Sequence, residues 1–165
     1  MRRRLFLLGG SGAAAALAGC GFELRKAPDF AFRSIAIPAT TSMANELRRT
    51  IASAGDVQVT ARQLPLDQAQ VVLDLVAELR EKVVVGLNAS GQVREFQLRS
   101  TVRFRLRTPQ GRELIPETEL VQQRDISFNE SAVLAKEAEE TLLYRDMQTN
   151  LVQQLMRRLA AVKTV

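Results

Sequence analysis

The chain has 165 residues, with 23 Lys and Arg against 18 Asp and Glu, no histidine, no tryptophan and a single cysteine at position 20. A chain of this size builds one hydrophobic core and has no room for a second full domain. It lacks the side chain that titrates near neutrality and serves most often as a metal ligand, and one cysteine excludes an internal disulfide.

Arg2, Arg3 and Arg4 open the chain, an apolar run follows over residues 5–17, and Leu17-Ala18-Gly19-Cys20 closes it. A charged tip, an apolar stretch and small residues before a cut are the three parts of an export signal, and Leu-Ala-Gly-Cys looks like a bacterial lipobox, in which the cysteine is acylated. The run falls short of the roughly 20 apolar residues that a membrane-spanning helix needs. The competing reading of Cys20 is a buried free thiol in a cytosolic protein. Arg3-Arg4-Leu5-Phe6-Leu7 also resembles the twin-arginine export consensus, with Arg2 and Leu8 at its edges in place of the usual polar residue and lysine, so that both export routes stay open. The expected organisation is a lipoprotein signal peptide at 1–19, an acylated tether at 20–33 and a single domain at 34–165. Residues 1–19 hold three arginines and no acids, so the rest carries 20 basic and 18 acidic residues, a balance of +2. That balance gives no support for nucleic acid as a partner.

The tether holds Phe22, Phe30 and Phe32, with Pro28 blocking a helix. Three of the seven phenylalanines in so short a segment predict that it docks on the domain or on a partner, since a flexible stalk is Ser/Gly-rich. Residues 34–37 read as a first strand ending at Pro38. A first helix follows, with Ser42 as N-cap, Met43, Leu47 and Ile51 at four-residue spacing, and Gly55 as a left-handed stop. Residues 56–62 alternate as a second strand. Val71, Leu73, Leu75, Ala77 and Leu79 alternate with Val72, Asp74, Val76, Glu78 and Arg80 and predict a strand with one buried face, extending through 83–87. After the turn signal Asn88-Ala89-Ser90-Gly91, Phe96, Leu98, Val102, Phe104 and Leu106 take one face of the next strand. Pro109-Gln110-Gly111 is a second tight turn. A last strand over 113–128 is expected to be broken or bulged at Pro116.

From residue 131 to about 162 the sequence predicts one long helix, with an apolar stripe of Leu134, Ala138, Leu142, Met147, Leu151, Leu155 and Leu159. Glu137, Glu139 and Glu140 lie early in it, and Arg157, Arg158 and Lys163 late, as the helix dipole favours. The fold class is therefore two-layer α+β, with two helices packed on one face of a mostly antiparallel four- to five-stranded sheet and the other face open.

Arg99, Arg103, Arg105 and Arg107 alternate on one strand face, about 7 Å apart between next-but-one residues. Such a row either meets an acidic partner or anionic lipid, or pairs across strands with Glu113, Glu117 and Glu119 on one side and Asp74 and Glu78 on the other. Nothing points to catalysis: the hydroxyls have no histidine to activate them, and the carboxylates lack metal-ligand spacing. The expectation is a non-enzyme with no cofactor beyond a covalent lipid on Cys20, and with no metal. Asn88-Ala89-Ser90 fits a glycosylation sequon but reads as turn chemistry.

Several short strings occur in a consistent order: Cys20-Gly21-Phe22-Glu23-Leu24-Arg25 after the lipobox, Gly91-Gln92 then Glu95-Phe96-Gln97 at the hairpin, and Val133-Leu134-Ala135-Lys136 at the start of the long helix. An apolar-basic-basic-leucine ending follows within 155–159. In these residues the chain resembles the LptE family of lipopolysaccharide-assembly lipoproteins. The resemblance implies two helices on a mostly antiparallel sheet, and a lipid-anchored protein on the periplasmic side of the outer membrane. It also implies a plug within the large outer-membrane β-barrel LptD, which helps that barrel assemble and assists delivery of lipopolysaccharide to the outer leaflet. A polar plug suits a polar barrel lumen, and two or more acyl chains make a stable anchor. Gly21 after Cys20, instead of an aspartate that favours inner-membrane retention in some bacteria, agrees with outer-membrane sorting.

Lys136 matches a basic position of the family associated with lipopolysaccharide contact. Its ordinary role is that of a solvated lysine near a helix start, where the dipole slightly disfavours it. Where the family tends to carry a basic residue before the hairpin turn, this chain has Ala89 and Ser90, and Arg94 or Lys82 are the candidates to substitute. The alternative function is a general periplasm-facing envelope lipoprotein with a structural or interaction role and no lipopolysaccharide function. Radiolabelled palmitate is expected to enter the wild-type chain and not Cys20→Ser; an unlabelled wild type removes the lipoprotein reading.

Overall fold

Two tight turns set the sheet. Gly91 and Gly111 donate their N–H groups to the carbonyls of Asn88 and Thr108, at 3.0 Å each, and the Asn88 side chain accepts from the N–H groups of Ser90 and Gln92. These turns join three long antiparallel strands: β3 (Val71–Leu87), β4 (Val93–Arg107) and β5 (Glu113–Ser127). The computed structural model describes residues 28–61 and 65–165. The signal segment, Cys20 and the tether as far as residue 27 lie outside the described residues, as does Arg62 at the expected end of the second strand.

Two short strands complete the sheet: β1 (Ser34–Ala36) runs parallel to β3, and β2 (Gln58–Val59) runs parallel to β1, giving the order β2-β1-β3-β4-β5. The architecture is α+β, with helices α1 (Ser42–Ser53) and α2 (Val133–Ala160) and a five-stranded mixed sheet. The cap of α1 is Thr41 rather than Ser42: the Thr41 hydroxyl accepts from the Ala44 N–H at 3.2 Å and donates to the Glu78 carboxylate at 2.5 Å. Ser42 is the first helical residue, and its hydroxyl donates to Gln148 on α2. Gly55 has φ +93°, the left-handed conformation expected of a stop. The expected break at Pro116 is present as two register shifts, since Phe104 pairs with Thr118, Leu106 with Ile115, and Arg107 with Glu113.

The core lies at the β1 end. Met43, Leu47 and Ile51 of α1 and Leu151, Leu155 and Leu159 of α2 bury against Val71 and Leu73 of β3 and Val102, Phe104 and Leu106 of β4. Phe30 and Phe32 join this core with their rings 5.3 Å apart, so the tether docks on the domain and the core begins ahead of residue 34. A small second cluster of Ala36, Ala69 and Val72 covers part of the opposite sheet face.

The alternating pattern of β3 is broken by a bulge. Leu75 pairs with Phe104 and Ala77 with Arg103, so Val76 is an extra residue. A one-residue slip moves every later side chain to the other face. Glu78, Arg80 and Lys82, paired with Val102, Ser100 and Leu98, consequently turn to the helix side, while Leu79 and Val83, paired with Thr101 and Gln97, go to the open face. The expectation that Leu79 continues the buried row is thus overturned: it is 53% exposed. A second irregularity centres on Gly86, where an added Cβ would lie 3.0 Å from Cβ of Glu95.

The expected stripe of α2 is likewise only half buried. Met147, Leu151, Leu155 and Leu159 are buried, but Leu134 and Leu142 are 82% and 63% exposed and Ala138 faces solvent. The five-residue step from Leu142 to Met147 turns the stripe by about 140° around the helix, so the early turns instead pack Leu143 and Tyr144 on the small cluster of Leu98, Ile126 and Met147, and polar contacts to β3 supplement it. Tyr144 donates to the Glu81 carbonyl at 2.8 Å beneath the Arg80 guanidinium, and Gln148 accepts from Arg80 and Ser42 and donates to Glu46. Leu155→Ala is expected to cost about 2–5 kcal/mol in denaturant unfolding, and Leu142→Ala no more than about 0.5 kcal/mol; equal costs would contradict this division of the helix.

Candidate functional site

Beyond the apolar core, at the end of the sheet where α2 begins, Lys82 of β3 and Lys136 of α2 line one cleft. The bulge aims Lys82 to the helix side. Asn129 turns the chain into α2 by accepting from the Ser131 N–H at 3.0 Å, and Lys136 follows in the first turn. Phe96, Ile126 and Phe128 form the apolar floor, and Glu140 completes the wall. The rings of Phe96 and Phe128 meet edge to face, with centroids 5.4 Å apart.

Both cations already have partners. Lys82 Nζ lies 2.6 Å from Glu140 Oε2 and 4.5 Å from the Phe96 ring centroid. Lys136 Nζ donates to Glu139 Oε2 at 2.9 Å and to Ser127 Oγ at 3.0 Å. Glu139 answers the unfavourable position of a lysine at the positive end of a helix. Water-exposed ion pairs of this kind contribute about 0–1 kcal/mol, so a multiply charged anion can displace the glutamates. The cavity is small, about 60 Å³.

Arg94 is exposed and does not line this cleft; its backbone carbonyl accepts from the Phe128 N–H at 2.7 Å. Of the two candidates to complete a site with Lys136, the structure brings Lys82 alongside it. Sequence reading missed the carboxylates. Glu139 and Glu140 lie three and four residues beyond Lys136, a spacing that signals helix ion pairs, but Glu140 instead bonds Lys82, 58 residues away. The floor residues Phe96 of β4, Ile126 of β5 and Phe128 just beyond it are brought together only by the sheet.

The arginine row lies on the open face and is mostly paired across strands. Arg103 meets Glu117 at 3.0 Å, and Arg105 and Arg107 share Asp74 at 3.0 and 2.8 Å. Arg99 reaches only the Gln97 amide oxygen, at 3.5 Å. Glu78, expected to serve this row, lies on the other face because of the bulge and accepts from Thr41. Burial by itself would raise the Asp74 carboxyl, but hydrogen bonds from Arg107 and Arg105, with their charges, outweigh it and hold the group below its ordinary range. Among the described residues no cluster of His, Cys, Asp and Glu could hold a metal, and no helix is long and apolar enough to cross a membrane.

A long twisted hairpin sheet backed by two helices on one face is a fold found in small lipoproteins. Uncharacterized lipoprotein B from Nitrosomonas europaea, solved in solution, superposes with a TM-score of 0.73 at 33% identity, covering 86% of this chain and 91% of that one. Rare lipoprotein B from Shewanella oneidensis shares the fold with a TM-score of 0.64 at 19% identity, over 78% and 95% of the two chains. The sequence is 26% identical to the LPS-assembly lipoprotein LptE of Pectobacterium atrosepticum, covering 98% of this chain and 88% of the relative. Residues 32–159 match the family described as "LptE: Lipopolysaccharide-assembly", and the chain belongs to that family.

The Asp74 pairs make stability depend on pH. A carboxyl whose folded value is depressed stabilises the fold above its unfolded value, about 3.9, and loses that contribution as pH falls through the folded value. Asp74→Asn is expected to lower unfolding free energy near neutrality by about 1 kcal/mol, a figure kept small because Arg105 is well exposed to water. In denaturant titrations, the gap between wild type and variant should close in strong acid. A gap that is constant with pH would show that the charge of Asp74 contributes nothing.

Proposed function

We propose that this protein is an outer-membrane lipoprotein, held by acyl chains on Cys20 at the periplasmic leaflet, that plugs and assists assembly of an LptD-like β-barrel. In this reading it binds lipopolysaccharide while that lipid is delivered to the outer leaflet. Family membership supports the lipopolysaccharide-assembly role. The observation that carries the binding part is the convergence of Lys82 and Lys136, from distant parts of the sequence, over an aromatic floor. Lipid A and its core join phosphates to acyl and sugar surfaces, and the cleft offers two ammonium groups beside Phe96 and Phe128. Lys136 and Lys82 are the principal headgroup contacts, with Arg94 a peripheral one. The open sheet face, with its paired arginines 103, 105 and 107 and the partly exposed Leu79, Val83 and Val121, suits the wall of a polar lumen. No step here requires a catalytic group.

A second reading has its own observation. Glu139 and Glu140 already neutralise both lysines, as they would in a general envelope lipoprotein with no lipopolysaccharide role. Titrating the purified protein with lipopolysaccharide separates the two. Lys136→Asp is expected to weaken binding about tenfold or more, and Glu140→Gln, which frees Lys82, to strengthen it; charge-assisted contacts have magnitudes of this order. Unchanged affinity in Lys136→Asp removes that residue from the site. Recovery of a large outer-membrane β-barrel with the tagged mature chain tests the plug, and its absence favours the second reading.

A further inference from the structure

The end of the domain opposite the lysine cleft has a different character. The chain enters the described structure at Pro28 and runs into β1 beside an open groove of about 540 Å³. Ala31, Gln70, Thr108, Arg112, Lys163 and Val165 help to line it. The β4–β5 turn and the residues after α2 meet there. Arg33, Arg112 and Lys163 are exposed at this pole, and Arg157 and Arg158 are exposed in the last turn of α2, immediately before it. None of the five makes an ion pair among the described residues. The acidic side chains at this pole among the described residues are Asp29, Asp56, Asp67 and Glu113, so five cations face four anions. At the far pole the balance reverses, with Lys82, Arg94 and Lys136 against Glu95, Glu130, Glu137, Glu139 and Glu140. The two poles are about 50 Å apart along the 17 residues of β3.

We propose that the basic pole, formed by Arg33, Arg112 and Lys163 with Arg157 and Arg158, is a docking surface for anionic phospholipid headgroups. It would act in the leaflet that holds the anchor, before a barrel is engaged. The proposal rests on the reading that Cys20 is acylated, because the eight residues from Cys20 to Pro28 span at most about 28 Å and bring this pole, not the other, to the bilayer. Attraction of Lys and Arg to an anionic surface fades within a Debye length of about 8 Å. The pole nearest the anchor is therefore the one whose charge the bilayer reads. Basic residues beside an acyl chain form the second signal of a two-signal membrane attachment. The acidic pole is repelled, so the long axis points away from the bilayer and the Lys82–Lys136 cleft is presented at the far end.

The test uses the mature chain, residues 20–165, with Cys20→Ser so that no acyl chain contributes; failure here is then separate from failure of palmitate labelling. The protein is co-sedimented with phosphatidylcholine vesicles, pure or doped with phosphatidylglycerol, at low and high salt. Binding is expected only to the doped vesicles and to fall with salt. Arg112→Glu with Lys163→Glu should weaken it at least about tenfold, whereas Arg145→Glu, a reversal of an exposed cation in the half of α2 away from this pole, should cost much less than Arg112→Glu alone. If the double reversal does not give a wild-type circular dichroism spectrum, Arg112→Gln with Lys163→Gln replaces it, with the same direction expected. No binding to doped vesicles, equal binding to neutral ones, or equal losses from Arg112→Glu and Arg145→Glu would each overturn the proposal.

Discussion

The extra residue in β3 is the constraint on which the rest of the molecule depends. Before Val76 the strand places Val71, Leu73 and Leu75 toward the helices; after it, the same alternation delivers Glu78, Arg80 and Lys82. A continuous register would carry Leu79 to the helix side and leave the arginine and lysine on the open face. The slip instead gives the helix layer two environments, one apolar and one polar, under a single pair of helices. The Thr41 cap on Glu78, the Gln148 junction joining α1, α2 and β3, and the Lys82 pair with Glu140 all occupy the side to which the bulge turns these residues.

Stability is correspondingly uneven. The β1 end carries the large buried residues with Phe30 and Phe32 of the tether, while the distal end has a small satellite cluster of Leu98, Ile126 and Met147. Exposed polar contacts contribute less than buried apolar area, so the distal half is the part that opens most readily. It is also the half that bears the lysine cleft. A site whose ion pairs are weak and whose supporting core is thin can exchange internal carboxylates for a ligand at low cost, which a tightly buried pair could not.

The two poles differ in charge and packing along the long axis. One end receives the tether, buries its aromatics and exposes unpaired cations; the other gathers acidic side chains around two lysines on an aromatic floor. The open sheet face between them is not strongly basic, because Asp74 and Glu117 answer three of its four arginines. The row of like charges visible in β4 is thus cancelled by residues from β3 and β5.

Much of this was written in the chain itself. Both hairpins, the two helices, the irregularity at Pro116 and the α+β class follow from local chemistry: turn residues, period-two and period-four patterns, and proline's missing donor. The sequence by itself also singled out Lys136, through short strings resembling the LptE family. Tertiary structure alone decided which half of each pattern is buried. Leu79 obeys a perfect local periodicity yet faces solvent, because a bulge depends on the partner strand's register, which no single segment encodes. The pairing of Lys82 with Glu140, and the choice of Lys82 over Arg94 beside Lys136, were decided the same way: they join residues far apart in sequence through a sheet and a helix that had first to be placed on one another.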